Sequence, residues 1–220
     1  MFKQVIILGL GQFGMGLARA LSHYDVETIA VDLDQKRIDL AAPWVTKAMC
    51  ADATNEEFIA QLEPAKRDVC ICATGDQSKE VGIICTALLK QFGAKRIIAR
   101  ANDDLHARIL RLVGAREIVN PEWDFGERFA PRILSEHVLN EMLLGSDLVV
   151  SEISVPDSMS GKSLKDQKIL QEFGITVIAI RGKGANTVQP ASSEIVLNLG
   201  DVIVTSAKRG AVEKLMEKVK

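Results

Sequence analysis

Apolar residues fall into two regimes along the chain. Through the first half, apolar runs of strand length alternate with segments in which apolar residues recur every three or four positions. The runs cover 3–8 (Lys-Gln-Val-Ile-Ile-Leu), 27–31, 47–50, 68–73, 95–99 and 116–119. Helical stripes lie between them, with Leu17, Ala18 and Leu21 in the first and Val81, Ile84, Leu88 and Leu89 across 77–92. Asp34, and the pair Thr54 and Asn55, stand where a side-chain oxygen accepts from the free N–H groups of a first helical turn. A further helix is predicted from about 103 to 113. The run 68–73 is almost wholly apolar, as in a strand covered on both faces. Strands and helices alternating through short connections predict an α/β fold over 1–120, a right-handed, doubly wound parallel sheet.

Pro121 ends that rhythm. Over 122–144, Phe125, Phe129, Ile133, Val138, Met142 and Leu143 take helical spacing, which predicts one long helix within 121–145. Its apolar stripe needs a covering surface, in its own domain or on a second subunit. Pro131 kinks or interrupts it, and Gly145 closes it. The remainder, 146–220, predicts a small α+β domain with its own modest core. Strands are expected near 148–155, 175–180, 194–197 and 202–205, and helices near 162–172 and 208–219. Gly182, Gly184, Pro190 and Gly200 mark its turns.

Charge and composition narrow the partners. A formal net charge of −2 gives no electrostatic drive toward nucleic acid or anionic lipid, and 5% aromatic residues give no base-stacking surface. No apolar run approaches the roughly 18–20 residues that cross a bilayer. The run at 3–8 ends in glycines and has no cleavage site after it, so it reads as a strand and the expected location is intracellular. Cys70 and Cys72 share one face of a strand, Cys50 ends another strand and Cys85 lies in a helix. All four are expected to be reduced core thiols.

Chemistry concentrates where the first strand ends. Gly9-Leu10-Gly11-Gln12-Phe13-Gly14 fits GxGxxG, and the pattern gains meaning from following a strand and opening a helix. Gly9 permits the tight turn, Gly11 lets backbone approach a pyrophosphate, and Gly14 lets helix and strand pack closely. Free N–H groups at the helix start, reinforced by the helix dipole, then face the phosphates. Asp32 ends the second strand eighteen residues after Gly14, where a carboxylate accepts from ribose hydroxyls and repels a 2′-phosphate; Leu33 follows it. The constellation is of Rossmann type and points to an adenine nucleotide, NAD(H), ATP, ADP or AMP rather than NADP. Later strand ends complete the pocket. Asp52 and Ala53 follow the third strand, with Asp52 placed to accept from an adenine amino group. Ala73, Thr74 and Gly75 follow the fourth, where small residues allow close approach. Asp76 either joins the pocket or caps the next helix. Arg100, ending the fifth strand, is a candidate phosphate contact.

Groups for catalysis are scarce. A dehydrogenase needs a proton donor or acceptor beside the hydride carbon. His23 ends the first helix and His137 lies in the long one, so His106, in the helix after the fifth strand, is the one histidine placed to approach a ligand. The glycine loop lacks GK[ST], and no metal-ligand spacing is present. Binding is favoured over chemistry, with an NAD-dependent oxidoreductase as the alternative. A DNA-binding redox sensor would need a basic recognition helix, and no segment of 146–220 reads as one.

In their order along the chain these residues resemble the cytosolic regulatory subunits of bacterial Trk/Ktr potassium-uptake systems, the RCK or TrkA-type proteins. The likeness runs through the glycine loop, Val31-Asp32-Leu33-Asp34, Asp52-Ala53-Thr54, Ala73-Thr74-Gly75, Gly114-Ala115 and Asn120-Pro121-Glu122. It continues in Gly161-Lys162-Ser163-Leu164, the stretch 173–180 and Leu199-Gly200-Asp201. The resemblance implies that the N-terminal domain binds ATP, ADP or NAD(H) and that the crossover helix pairs subunits. It implies that pairs form a ring beneath a membrane potassium-translocating subunit, at the inner face of the cell membrane. Exchange of nucleotide then changes a hinge angle and opens or closes the potassium path. By the same likeness, Glu122 lies near the phosphates and helps hold a divalent cation, Mg or Ca. On its own chemistry, a glutamate there favours the positive end of the helix. The chain departs from the pattern at Gln12, where several ATP-responding relatives carry an arginine that reaches a neighbour's γ-phosphate. An amide contacts phosphate more weakly than a guanidinium fork does.

Overall fold

The strand β1 (Lys3–Leu8) is apolar on both faces, with Ile6 and Leu8 packed into one core and Val5 and Ile7 into another. This places it at the centre of a six-stranded sheet. On one side lie β2 (Val26–Asp32) and β3 (Lys47–Cys50), and on the other β4 (Val69–Cys72), β5 (Ile97–Arg100) and β6 (Glu117–Val119). The order is β3-β2-β1-β4-β5-β6 and every pair is parallel. Helices α1 (Gln12–Leu21), α2 (Gln35–Ala41), α3 (Glu56–Gln61), α4 (Lys79–Gln91) and α5 (Asp104–Val113) lie between successive strands. The doubly wound sheet expected from the apolar pattern is therefore present. The structure is a computed structural model that describes residues 3–74 and 79–219.

Local chemistry sets the helix starts. The Asp34 carboxylate accepts from the Lys36 N–H at 2.9 Å, and the Asn55 side-chain oxygen accepts from the Phe58 N–H at 2.9 Å. At the start of α5, Asp103 accepts from the His106 N–H at 2.8 Å. Cys70, Cys72 and Cys85 are buried free thiols in one core cluster, and burial pushes Cys70 and Cys72 up to about 12. Cys50 departs from expectation, since it is exposed at the end of β3.

The described residues divide into two compact units, one ending at Glu122 and the other beginning at Trp123. The helix α6 (Pro121–Leu134) spans that division in sequence. It is shorter than the single helix expected over 122–144, because residues 138–144 form a strand, β7 (Val138–Leu144). Its backbone pairs antiparallel with β8 (Leu148–Ser154), and Gly145, at φ +79°, turns the hairpin instead of capping a helix. Val138, Met142 and Leu143 fit a helical spacing on paper, but ladder pairing with a neighbouring strand decides the outcome. His137 accordingly lies in the turn before β7, not in a helix. Pro131 is accommodated inside α6, and residues 132–134 continue past it.

The second sheet is antiparallel, in the order β10-β9-β11-β8-β7, where β9 is Thr176–Arg181, β10 is Gln189–Pro190 and β11 is Val202–Lys208. Three short helices, α7 (Leu164–Gln167), α8 (Ile169–Phe173) and α9 (Ala211–Lys218), complete the unit. The helix expected near 162–172 is split because Lys168 adopts the left-handed region at φ +49°. The strand expected at 194–197 is reduced to one bridge between Val196 and Ser163, and Pro190, expected in a turn, belongs to β10. Ile153, Met159, Ile175, Ile180, Leu197 and Ile203 form the centre of this unit's core. No helix among the described residues is long and apolar enough to cross a membrane.

Two acids are buried among the described residues of this second unit, Glu141 and Asp201. Glu141 on β7 accepts from the Ser151 hydroxyl at 3.0 Å across the β7–β8 pair. Burial raises its carboxyl above the ordinary glutamate value of 4.5, nearby Glu213 adds repulsion, and Arg209 opposes both. A raised folded-state value means that the native protein keeps a proton the unfolded chain has released. Stability therefore falls as pH rises from 4.5 through the folded value. Glu141→Gln preserves an oxygen acceptor for Ser151 and removes that dependence. Thermal melts should show Glu141→Gln more stable than the parent at pH 7, with the difference closing below pH 4.5.

Candidate nucleotide site

Strand order reverses between β1 and β4, and at such a switch point the connections diverge to leave a crevice outside the carboxyl ends of the strands. A cleft of about 560 Å³ occupies that position. Its floor is the β1–α1 turn. Gly9 sits at φ +96°, and a Cβ there would lie 3.1 Å from the Thr74 backbone nitrogen. A Cβ on Gly14 would lie 1.9 Å from the Gly9 carbonyl oxygen, so α1 reaches this position only with glycine. Gly11 is different. It precedes the first residue of α1 with no side-chain cap, and nothing lies within 4 Å of the place a Cβ would take. The first turn of α1 also carries no acidic residue of its own.

Asp32 closes the floor. Its Oδ2 accepts from the Leu10 N–H at 2.6 Å and its Oδ1 from the Asp34 N–H at 2.9 Å, while the residue is 8% exposed. The carboxylate thus ties the glycine loop to the end of β2. Each oxygen retains a further lone pair to accept from a hydroxyl in the cleft. Arg37, from the first turn of α2, lies 3.5 Å from Asp32 and 3.7 Å from Asp34. Asp52, at the end of β3, accepts from the Thr54 hydroxyl at 2.7 Å and the Thr54 N–H at 2.8 Å. Those two bonds, the hydroxyl first, hold its carboxyl below the usual range.

Arg100 and Glu122 form the opposite wall. Arg100 Nη2 donates to Glu122 Oε1 at 2.7 Å, with the arginine side chain 8% exposed and the glutamate 66% exposed. Among the described residues no three His, Cys, Asp or Glu side chains converge as a metal site.

The structure brings most of the expected site residues to one place. Gly9, Gly11, Gln12, Asp32, Leu33, Asp52, Ala53, Ala73, Thr74, Arg100 and Glu122 all line the cleft. Phe13 instead packs against the core beneath the sheet, and Gly14 is buried against Gly9. Gly75 and Asp76 lie outside the described residues. Val31, Asp34, Arg37, Ala51 and Val81 also line the cleft and were not anticipated as site residues. Arg37 had a signal, since the first turn of a helix that follows the Asp32 strand returns beside that carboxylate. His106, the one histidine placed to approach a ligand, is 4% exposed and is not among the residues that line the cleft. Burial holds its imidazole below the usual histidine value.

Sheet order, glycine turn and β2 carboxylate together define the Rossmann class of nucleotide-binding proteins. Residues 5–121 match the TrkA-N domain and residues 150–220 the TrkA-C domain, and the chain belongs to the Trk/Ktr family of potassium-uptake regulatory proteins. It is 32% identical to Ktr system potassium uptake protein A of Vibrio alginolyticus over 218 residues, covering 99% of this chain and 97% of the relative. It is also 32% identical to Ktr system potassium uptake protein C of Bacillus subtilis over 196 residues, covering 89% and 88%. Among solved structures, the GsuK RCK domain matches the whole chain with a TM-score of 0.67 at 19% identity. The GsuK channel bound to NAD matches it with a TM-score of 0.64 at 18% identity. The chain spans 48% and 40% of those two longer chains.

Asp32→Asn tests the tie between loop and strand. Asparagine offers one acceptor where two backbone N–H groups now bond, so one of them would face an amide NH₂. A loss of about 2 kcal/mol is expected, read as a lower denaturant midpoint at unchanged slope.

Proposed function

We propose that this protein is a cytosolic regulatory subunit that senses an adenine nucleotide and controls a membrane potassium-translocating subunit of Trk/Ktr type. The observation that carries the reading is the β1–β4 cleft, with its glycine turn and buried Asp32, in a chain collinear with Ktr potassium uptake proteins. The α1 start takes the phosphates and Asp32 takes the ribose, with Leu33, Asp52 and Ala53 toward the adenine. Ala73 and Thr74 lie along the ligand, and Arg100 meets a phosphate. The ligand is ATP, ADP or NAD(H); a relative of the same fold has been solved with NAD. Gln12 stands where a cationic phosphate contact would otherwise be, so discrimination between triphosphate and diphosphate leans on other groups. A divalent cation accompanying ATP would find the Glu122 carboxylate beside the phosphates.

The protein itself performs no bond chemistry in this reading. Its relatives are named as potassium-uptake proteins, and the imidazole that a dehydrogenase would use is buried and does not line the cleft. A ligand shifts a conformational equilibrium only by its difference in affinity for two states. Charged ligands supply such a difference where copies meet, and α6 supplies the meeting surface. Trp123, Phe125, Ile133 and Leu134 are all more than half exposed, and Phe125 stacks on Phe129 at 5.4 Å. Apolar area of this kind is usually covered by another protein surface. Pairs joined through α6 then build a ring at the inner face of the membrane.

Calorimetric titration with ATP, ADP and NAD should show saturable binding of at least one, and absence of binding to all three would end the reading. Gly11→Ala should fold with an unchanged melting temperature, since its methyl meets no protein atom, yet lose about tenfold or more in affinity because that methyl enters the phosphate path. Phe129→Lys should halve the particle mass in light scattering; an unaltered mass would show that the aromatic stripe does not pair subunits.

A further inference from the structure

A purine is a flat aromatic ring, and proteins that grip one commonly lay a flat group against it. None of the described residues that line the cleft is aromatic, and residues 75–78, Gly-Asp-Gln-Ser, hold none in sequence. The strongest stacking group left is a guanidinium, which lies flat on aromatic faces and adds a cation–π attraction. Two arginines line the cleft, Arg37 and Arg100. Arg100 ends β5, and its side chain is 8% exposed beside Glu122, on the wall proposed for the phosphates. Arg37 rises from the first turn of α2 beside Asp32, at the end proposed for ribose and base.

The surroundings of Arg37 leave its faces uncommitted. Its Nη1 lies 3.5 Å from Asp32 Oδ2 and its Nε 3.7 Å from Asp34 Oδ2. Charge-assisted hydrogen bonds run about 2.7–2.9 Å, so these contacts orient the guanidinium without clamping it. Both engage nitrogens at the rim of the group and neither covers its plane. Elsewhere in the chain such planes are used, with Arg19 over Trp44 and Arg132 over Phe129, each at 5.1 Å. Among the described residues no ring lies against Arg37, whose side chain is 51% exposed. Leu33, the residue after the β2 carboxylate, lines the same cleft at 68% exposure and offers apolar surface that a base would cover.

Resting on the nucleotide reading of this cleft, we propose that Arg37 is its base-stacking residue: with one edge of the guanidinium turned to Asp32 and Asp34, its flat face lies against the purine of the bound nucleotide. The two aspartates hold that face ready before a ligand arrives, so part of the cost of ordering a long side chain is met in advance. Every base has a π face, so the stack favours a nucleotide over a sugar phosphate without choosing among bases. That choice falls to groups that meet the edge of the ring, where Asp52 stands in the proposed reading.

The test separates the plane of Arg37 from its charge. The full chain is titrated with ADP by calorimetry, or with NAD if the parent binds only that, and each variant is checked for a parental melting temperature. Arg37→Ala should bind about tenfold more weakly, as expected for loss of a partly desolvated cation–π contact. Arg37→Tyr, flat but uncharged, should return most of that affinity, whereas Arg37→Lys, charged but not flat, should bind no better than Arg37→Ala. Parental affinity in Arg37→Ala overturns the proposal. Restoration by lysine, with or without tyrosine, also overturns it and makes Arg37 a charge partner of the two aspartates, as does a loss that neither replacement restores. In each of those outcomes the parent still binds and the nucleotide reading stands. If the parent binds no adenine nucleotide, that reading falls and the stacking role falls with it.

Discussion

Where β1 turns into α1, two stretches of backbone approach to a distance that leaves no room for a methyl group. The Gly9 carbonyl oxygen occupies the place a side chain on Gly14 would take, and Gly9 itself presses on the backbone at Ala73 and Thr74. Everything useful in the first unit is set out from that contact. The close approach aims the start of α1 at the mouth of the switch point, and it brings the ends of β1 and β4 together as one floor. The Asp32 carboxylate then fastens the turn from the side by accepting the Leu10 N–H. A single acid therefore serves the fold first, and in the proposed reading the same group accepts from the ribose.

The walls of the cleft follow a different logic from its floor. The floor is backbone and small residues, rigid by packing. The walls carry ion pairs, with Arg37 between two aspartates at one end and Arg100 against Glu122 at the other. Rigid geometry sets the shape of the cleft, while its side walls set the charge.

Much of this was legible in the residue pattern, for physical reasons that also explain the exceptions. Buried parallel strands are apolar runs of fixed length, so β1 to β6 could be placed within a few residues. Gly9, Gly11, Gly14 and Asp32 were legible because one turn geometry demands those residue types at that spacing. The β7 segment was misread because Val138, Met142 and Leu143 satisfy helical spacing, and no local feature reveals that 148–154 lies alongside to pair with it. Phe13 was read as part of the ligand loop, but its neighbours turn it toward the core. Arg37 carried a signal only in its place on the first turn after the Asp32 strand, whereas the Arg100–Glu122 pairing depends on side chains brought together by separate elements. His106 had the correct position in sequence and the wrong exposure, a property set by packing on α5 that spacing does not encode.

The second sheet ends in two strands that are poor templates for further pairing. At one margin β10 is two residues long and includes Pro190, which has no N–H to give. At the other margin β7 breaks its register between Val138 and Asn140 and turns the carboxylate of Glu141 inward. Neither margin of the second sheet therefore invites another copy to extend it into a continuous ribbon. For this unit, contact through faces and helices could separate and re-form without unravelling a hydrogen-bonded ladder, which is the mechanical property a reversible assembly needs.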